Sequence, residues 1–203
     1  MELKLSILGL VTALCAVTGC FNEPEPAYKT VSAEARVYLQ DQDLKDLSSC
    51  ADKLSAGAVI DYVNLDRNAL ETFPSELTRL TGLKWLRLND NALTELPDLK
   101  ALSKLRRIYL KGNRLTAVPE TLKDLPELTD VDLSGNPIAE IPDWLAAKKG
   151  LEGLSFSRTQ VTKLPADLKA WRSLKQLQLG DLKLSAEEMA RIRAALPSVA
   201  IVF

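Results

Sequence analysis

The chain contains no histidine. That removes the commonest general base, the usual neutral-pH switch and the commonest metal ligand. Cysteine is scarce, with Cys15, Cys20 and Cys50 making three in all, and their spacing is not that of zinc ligands. No sign of charge dominates: 26 basic residues face 27 acidic ones for a net charge of −1. Nucleic acid is therefore not the expected partner, because a nucleic-acid interface favours a strongly basic face. Aromatic residues make up 5% of the chain, so each cluster of them is worth locating. No phosphate-binding glycine loop and no nucleophile paired with a base is present. Neither an enzyme nor a metal or cofactor site is expected.

What the chain does have begins with an apolar run from Leu3 to Gly19, with Lys4 near its start, that stops at Cys20. The run is short for a membrane span of about 20 residues and suits the apolar region of a signal peptide. A strongly polar stretch follows, Asn22-Glu23-Pro24-Glu25-Pro26. The tetrad Val17-Thr18-Gly19-Cys20 at the end of the run resembles the lipobox of bacterial lipoproteins. The resemblance implies diacylglyceryl transfer to the Cys20 thiol, cleavage before it and acylation of the new amine. Two or more acyl chains give stable anchoring. The implied organisation is a signal peptide over 1–19 and a lipidated cysteine with an extended tether over 20–32. An ordinary secretory signal with a chance cysteine, or an uncleaved anchor, are the plainer alternatives. The implied location is a lipid-anchored place on the cell membrane after export. Phe21, where an aspartate tends to hold enteric lipoproteins at the inner membrane, fits an outer membrane if the organism has one.

From residue 60 the chain repeats. Ile60, Leu83, Leu105, Leu128, Leu151 and Leu174 open six units, spaced 23, 22, 23, 23 and 23 residues apart. Apolar residues recur at the fourth and sixth places of each, from Val63 and Leu65 to Leu177 and Leu179. Asn68, Asn91, Asn113 and Asn136 stand three places later, and an apolar-Pro pair follows in five units, from Phe73-Pro74 to Leu164-Pro165. Leu-x-Leu alternation puts both leucines on one face of a short strand, and one such unit cannot bury its apolar side alone. Asparagine amides inside the turns can satisfy backbone groups of neighbouring units, and proline sets an extended backbone toward the opposite side. The pattern Leu-x-x-Leu-x-Leu-x-x-Asn-x-Leu resembles the leucine-rich repeat over roughly residues 37 to 203. The implied fold is α/β, a right-handed solenoid with a concave parallel β-sheet over 60–184, closed by caps at each end. Thr159 and Leu182 take the asparagine place in the last two units, and Lys148 stands where other units have leucine or tryptophan, predicting a locally weaker apolar stack.

The caps differ in clarity. Residues 33–59 read as a degenerate repeat, with Val37, Leu39, Gln42, Leu44 and Leu47 in phase after a short helix or coil, and with Cys50 buried on its apolar side. Residues 185–203 read as a helix-strand cap: Ser185-Ala-Glu-Glu188 has capping-box spacing, Met189, Ile192 and Leu196 follow at helical spacing, and Val199, Ile201 and Phe203 alternate.

Residues between the strand leucines form three columns on the concave side. Tyr62, Trp85, Arg107, Asp130, Gly153 and Gln176 make the first, Asn64, Arg87, Tyr109, Asp132, Ser155 and Gln178 the second, and Asp66, Asn89, Lys111, Ser134, Ser157 and Gly180 the third. Tyr62, Trp85, Arg87, Arg107 and Tyr109 are the candidate ligand-binding cluster, because aromatic and arginine side chains are enriched at binding hot spots. The same residues could equally pack against each other across strands. Trp171, at a leucine place, is expected in the core and Trp144 on the convex side. The expected function is an anchored module that binds a protein partner in the cell envelope through its concave face. An envelope glycan or peptidoglycan binder, and a purely structural envelope protein, are the alternatives.

Overall fold

The structure is a computed structural model that describes residues 34–48, 54 and 59–203, plus the backbone of two short antiparallel strands, Cys15–Ala16 and Gly19–Cys20. The expectations for the signal peptide, the Cys20 thiol, the tether and Cys50 fall on residues or side chains outside that description.

Eight strands form one parallel sheet in strict chain order: β1 (Glu34–Tyr38), β2 (Val59–Asn64), β3 (Trp85–Arg87), β4 (Arg107–Tyr109), β5 (Asp130–Asp132), β6 (Gly153–Ser155), β7 (Gln176–Gln178) and β8 (Ala200–Val202). Each strand is one repeat on from its neighbour. Trp85 pairs with Arg107, Arg107 with Asp130 and Asp130 with Gly153, so the columns of the sequence become rows across the sheet. The residue flanked by these faces turns inward. Val63, Leu86, Ile108 and Leu177 are completely buried, and Val131 and Leu154 nearly so. The leucines at the first and sixth places join them in one continuous core.

Behind the sheet the chain returns through short helices. Among the described residues these are 3₁₀ turns at Ser75–Arg79, Glu120–Asp124 and Lys169–Ser173, and the single-turn helix α1 (Asp143–Ala147). Pro74, Pro119 and Pro142 precede three of them with φ between −61° and −70°, a value that the pyrrolidine ring imposes. The shorter second unit has no such helix, and its Leu99 N–H donates to the Thr121 hydroxyl of the next unit.

In the first cap Glu34–Tyr38 is a strand in the repeat phase read from the sequence: Val37 lies opposite Val63 after a register shift between Ala35 and Arg36. Lys148 does not simply weaken the stack. Its ammonium donates to the carbonyls of Lys123 and Leu125, which the preceding 3₁₀ turn leaves open, and burial pushes its pKa down. Trp171 is fully buried and donates its indole N–H to the Leu145 carbonyl, whereas Trp144 is half-buried against the core.

At the far end α2 (Ala186–Ala195) starts with the Ser185 hydroxyl accepting from the Glu188 N–H. The reciprocal half of a capping box is not made. The Glu188 carboxylate instead accepts from the Leu164 N–H and from the Arg191 guanidinium, tying the helix to the last repeat turn. These hydrogen bonds, with the Arg191 bond first among them, hold Glu188 below the ordinary glutamate range. Strand β8 then closes the sheet beside β7, and Arg193 stacks over Phe203.

Candidate functional site

Two polar ladders hold the strand ends and so set the open face of the sheet. In the first, each asparagine serves two units. The Asn113 amide donates to Leu88 O and Leu110 O, both at 2.9 Å, and its oxygen accepts from Leu93 N at 3.0 Å. Asn136 repeats this with Leu110 O, Leu133 O and Leu115 N. Asn91 does so with Leu65 O, Leu88 O and Leu70 N, and Asn68 with Leu39 O, Leu65 O and Leu44 N. Thr159 keeps only the bond back to its own unit, from its hydroxyl to Phe156 O.

The residue before each ladder position is left-handed. Arg67, Asp90, Gly112, Gly135, Arg158 and Asp181 have φ between +53° and +66°. Glycine adopts this conformation without strain at 112, where a Cβ would also meet the Asp90 carboxylate unless that side chain moved.

The second ladder takes half of the third column out of the open face. Asp66, Asn89 and Ser134 are buried. Asp66 accepts from Asn89 N, and Asn89 accepts from Lys111 N, so each side chain caps the backbone of the next strand. Ser134 and Ser155 share a hydrogen bond of 2.6 Å, which places Ser155 of the second column inside as well. Short polar side chains at a strand exit can either face solvent or bond the next unit. Burial of the neighbouring backbone groups favours the second.

The five candidate residues are brought together, and Tyr38, which the sequence did not single out, joins them. Tyr38, Tyr62, Trp85 and Tyr109 make a continuous aromatic row, with successive ring centroids 5.3, 5.2 and 5.9 Å apart. The last two contacts are edge-on, at 89° and 84°, the arrangement that ring quadrupoles favour. Arg107 lies over Trp85 and Arg87 over Tyr109, at 4.9 and 5.5 Å from the ring centroids. Burial raises the pKa of both Tyr62 and Tyr109, so their phenols stay protonated at neutral pH.

The two arginines differ in what they have left to give. Arg87 grips the buried Asp66 carboxylate through Nε at 2.7 Å and its terminal nitrogen at 2.5 Å. Removing it would strand a buried charge, so its first duty is to the fold. Arg107 has a looser ion pair with Asp130 at 3.4 Å and is about half exposed. Gly153 gives the Asp130 carboxylate its room, since a Cβ there would come within 2.6 Å of it. The acidic half of the face is quieter: Asp132 accepts from Ser134 N, and Asp130 from the Thr129 hydroxyl.

Beside this row, along the approach to β2 through β6, lies a groove of about 640 Å³ floored by Tyr62 and Trp85. Its walls include Arg36, Arg106, Arg107, Glu127 and Glu152. Arg36 and Arg106 were not among the expected site residues. Arg106 stands just before the column residue Arg107, whereas Arg36 lies in register with Tyr62 and heads the first column from the capping strand, to which the leucine-based reading did not extend the columns. Among the described residues no group of side chains has the makings of a metal site, and no helix is long and apolar enough to cross a membrane.

Comparison with known proteins agrees with this geometry. Residues 81–138 match the family described as leucine rich repeat. The chain is similar to mouse podocan, with 32% identity over 109 residues covering 50% of this chain and 18% of podocan. It is also similar to the Dictyostelium discoideum probable inactive serine/threonine-protein kinase roco10, with 30% identity over 99 residues covering 45% of this chain and 4% of the kinase. The chain thus spans less than a fifth of these curated relatives, and their wider activities lie largely outside the shared part. Among solved structures, a leucine-rich repeat protein of Leptospira interrogans superposes with a TM-score of 0.64 at 25% identity, covering 83% of this chain and 47% of that one. Folds of this kind typically act as non-enzymatic interaction scaffolds. With the strand register and the asparagine ladder, these likenesses show that the chain has the α/β solenoid fold of leucine-rich repeats.

Proposed function

We propose that this protein is a membrane-anchored lipoprotein that binds a protein partner in the cell envelope through the open face of its sheet. The observation that carries the binding half is the aromatic row with Arg107 laid over it, on a face that the other described residues leave open. Aromatic rings bury large area with few rotors, and arginine adds directional donors. The anchoring half rests on the lipobox-like Val17-Thr18-Gly19-Cys20 and the proline-rich stretch after it. A protein is favoured over a glycan because sugar stacking needs a free ring face. Arg107 lies over a face of Trp85 and Arg87 over a face of Tyr109, while the rings otherwise meet edge-on.

The test is a double change, Trp85→Ala with Arg107→Ala, followed by quantitative crosslinking to envelope proteins in cells. Specific crosslinks should fall at least about tenfold, the loss of roughly 1.4 kcal/mol or more expected of hot-spot residues. The matched control is Gln176→Ala with Gln178→Ala, on the same face three strands beyond the cluster, which should change little. Ser155 is unsuitable as a control because it is buried in the second ladder. Circular dichroism must show both variants folded. Crosslinks that survive the aromatic change and vanish with the control would move the binding surface to the carboxyl half.

A further inference from the structure

The groove beside the aromatic row has a specific imbalance in its hydrogen-bonding capacity. Each of two wall carboxylates already faces a cation: Glu127 accepts from Arg106 Nε at 3.1 Å, and Glu152 from Lys175 Nζ at 2.7 Å. Asp130, beside it, accepts from the Thr129 hydroxyl and pairs with Arg107. The arginines are far from spent. A guanidinium carries five N–H donors in a fixed fork. Arg106 commits one of them to Glu127. The Arg107 guanidinium makes no hydrogen bond among the described residues, its ion pair with Asp130 being 3.4 Å long. The Arg36 guanidinium makes neither a hydrogen bond nor an ion pair among them, and the residue is exposed.

We infer that this groove receives the acidic side chains of a polypeptide partner, with Arg107, Arg106 and Arg36 gripping aspartate or glutamate carboxylates and Tyr62 and Trp85 taking the adjacent apolar side chain. The inference rests on the reading that the open face binds protein, and it names the chemistry of what is bound. Three features support it. Arg107 is held over Trp85 at 4.9 Å, so its fork is partly ordered before a ligand arrives and less freedom is lost on binding. Arg107 and Trp85 are in register on neighbouring strands, about 4.8 Å apart, so a carboxylate and the residue beside it reach both together. The wall is mixed in sign, with Arg36, Lys84, Arg106 and Arg107 against Asp61, Glu127 and Glu152. Three carboxylates repel a dense polyanion such as a polyphosphate, whereas separated single carboxylates on a peptide fit between them.

The experiment pans a random dodecapeptide phage library on the immobilised full-length chain, and on Arg106→Gln/Arg107→Gln and Trp85→Ala variants whose thermal melts match it. Peptides selected on the unmodified chain should carry aspartate or glutamate several-fold above the starting library, with an apolar residue next to it. Their retention should fall at least tenfold on the arginine variant and weaken as salt rises. Acidic peptides that the arginine variant retains undiminished would overturn the inference. Peptides without acidic excess that are lost on Trp85→Ala would overturn it too, while leaving the open-face reading in place. Recovery of no peptides, or only of peptides indifferent to both variants, would count against both readings. Tighter capture of soluble polyphosphate than of the selected peptides would overturn the choice of occupant.

Discussion

At the scale of single residues, the asparagine ladder does the work that regular hydrogen bonding cannot do at a strand exit. Asn113 and Asn136 are 5% and 1% exposed, whereas Asn68 and Asn91 are half-buried. An orphaned carbonyl costs most where water cannot replace the lost donor. Asn113→Ala and Asn136→Ala should therefore each cost about 2–3 kcal/mol, near the upper end for a stranded buried group, and Asn91→Ala nearer about 1 kcal/mol. Urea melts would measure the order. Equal losses at the buried and half-buried positions would show that solvent is not what separates them. Lys148 offers the opposite experiment. Burial pushes its pKa down, so its charged form costs stability at neutral pH. Between the lowered folded value and the ordinary 10.5 the unfolded chain binds more protons, so stability should rise with pH across that window. Lys148→Met should remove that rise and restore the apolar stack of its neighbours, while taking the donor from the Lys123 and Leu125 carbonyls. Solvent at the edge of the site screens the charge and can hydrate those carbonyls, so the net change at pH 7 should stay within about 1 kcal/mol.

At the scale of elements, the repeats were legible because so many residues agree in phase. The leucines at the first, fourth and sixth places mark the strand and its buried side without reference to any neighbour. What the spacing left ambiguous was the identity of the polar columns. The repeat phase puts Asp66 and Asp132 in different columns, but nothing in the string of letters says which column is buried. One is buried under Arg87 and Asn89, and the other sits half-buried at the face of β5. The carboxyl cap gives a similar lesson. Its capping-box spacing is real, yet Glu188 is drawn to Leu164 N and Arg191 because those groups lie on the repeat that the helix covers. Glu188 is held below the ordinary glutamate value of 4.5, so its contribution is complete above that pH and is lost as pH falls through the depressed folded value. Glu188→Gln should lose about 1–3 kcal/mol at pH 7, the range for a charge-assisted hydrogen bond, and should then lose less than the unmodified chain on acidification. Chemical melts at two pH values would check this. An unchanged acid slope in the variant would remove Glu188 from the account.

At the scale of the whole molecule, the open face has a gradient. Aromatic and arginine side chains gather on β1 to β4, acidic ones on β5, and small polar ones beyond. Stacking in register turns that gradient into one surface, since residues from units some 23 positions apart in the chain become neighbours across a strand spacing. The proposed anchor makes its own prediction at this scale. Cys20→Ser should abolish metabolic labelling with a fatty-acid probe, because the thiolate is the nucleophile for lipid transfer. Equal labelling of the variant and the unmodified chain would reject Cys20 as the lipidated residue.

Parallel strand order, the inward leucines, the asparagine ladder and the presence of a closing helix are all written in the repeat pattern. Each depends on a local pattern repeated in phase, and one unit's pattern is enough to orient its own side chains. Tertiary structure alone decided which polar residues face solvent. It drew Asp66, Asn89, Ser134 and Ser155 inward, spent Arg87 on a buried carboxylate and left Arg107 with donors to give. It also brought Tyr38 into the aromatic row and Arg36 and Arg106 into the groove. The physical reason is that the fate of a polar side chain on a stacked sheet is set by the groups one strand away. Those groups belong to another repeat, and only the packed solenoid puts them within hydrogen-bonding distance.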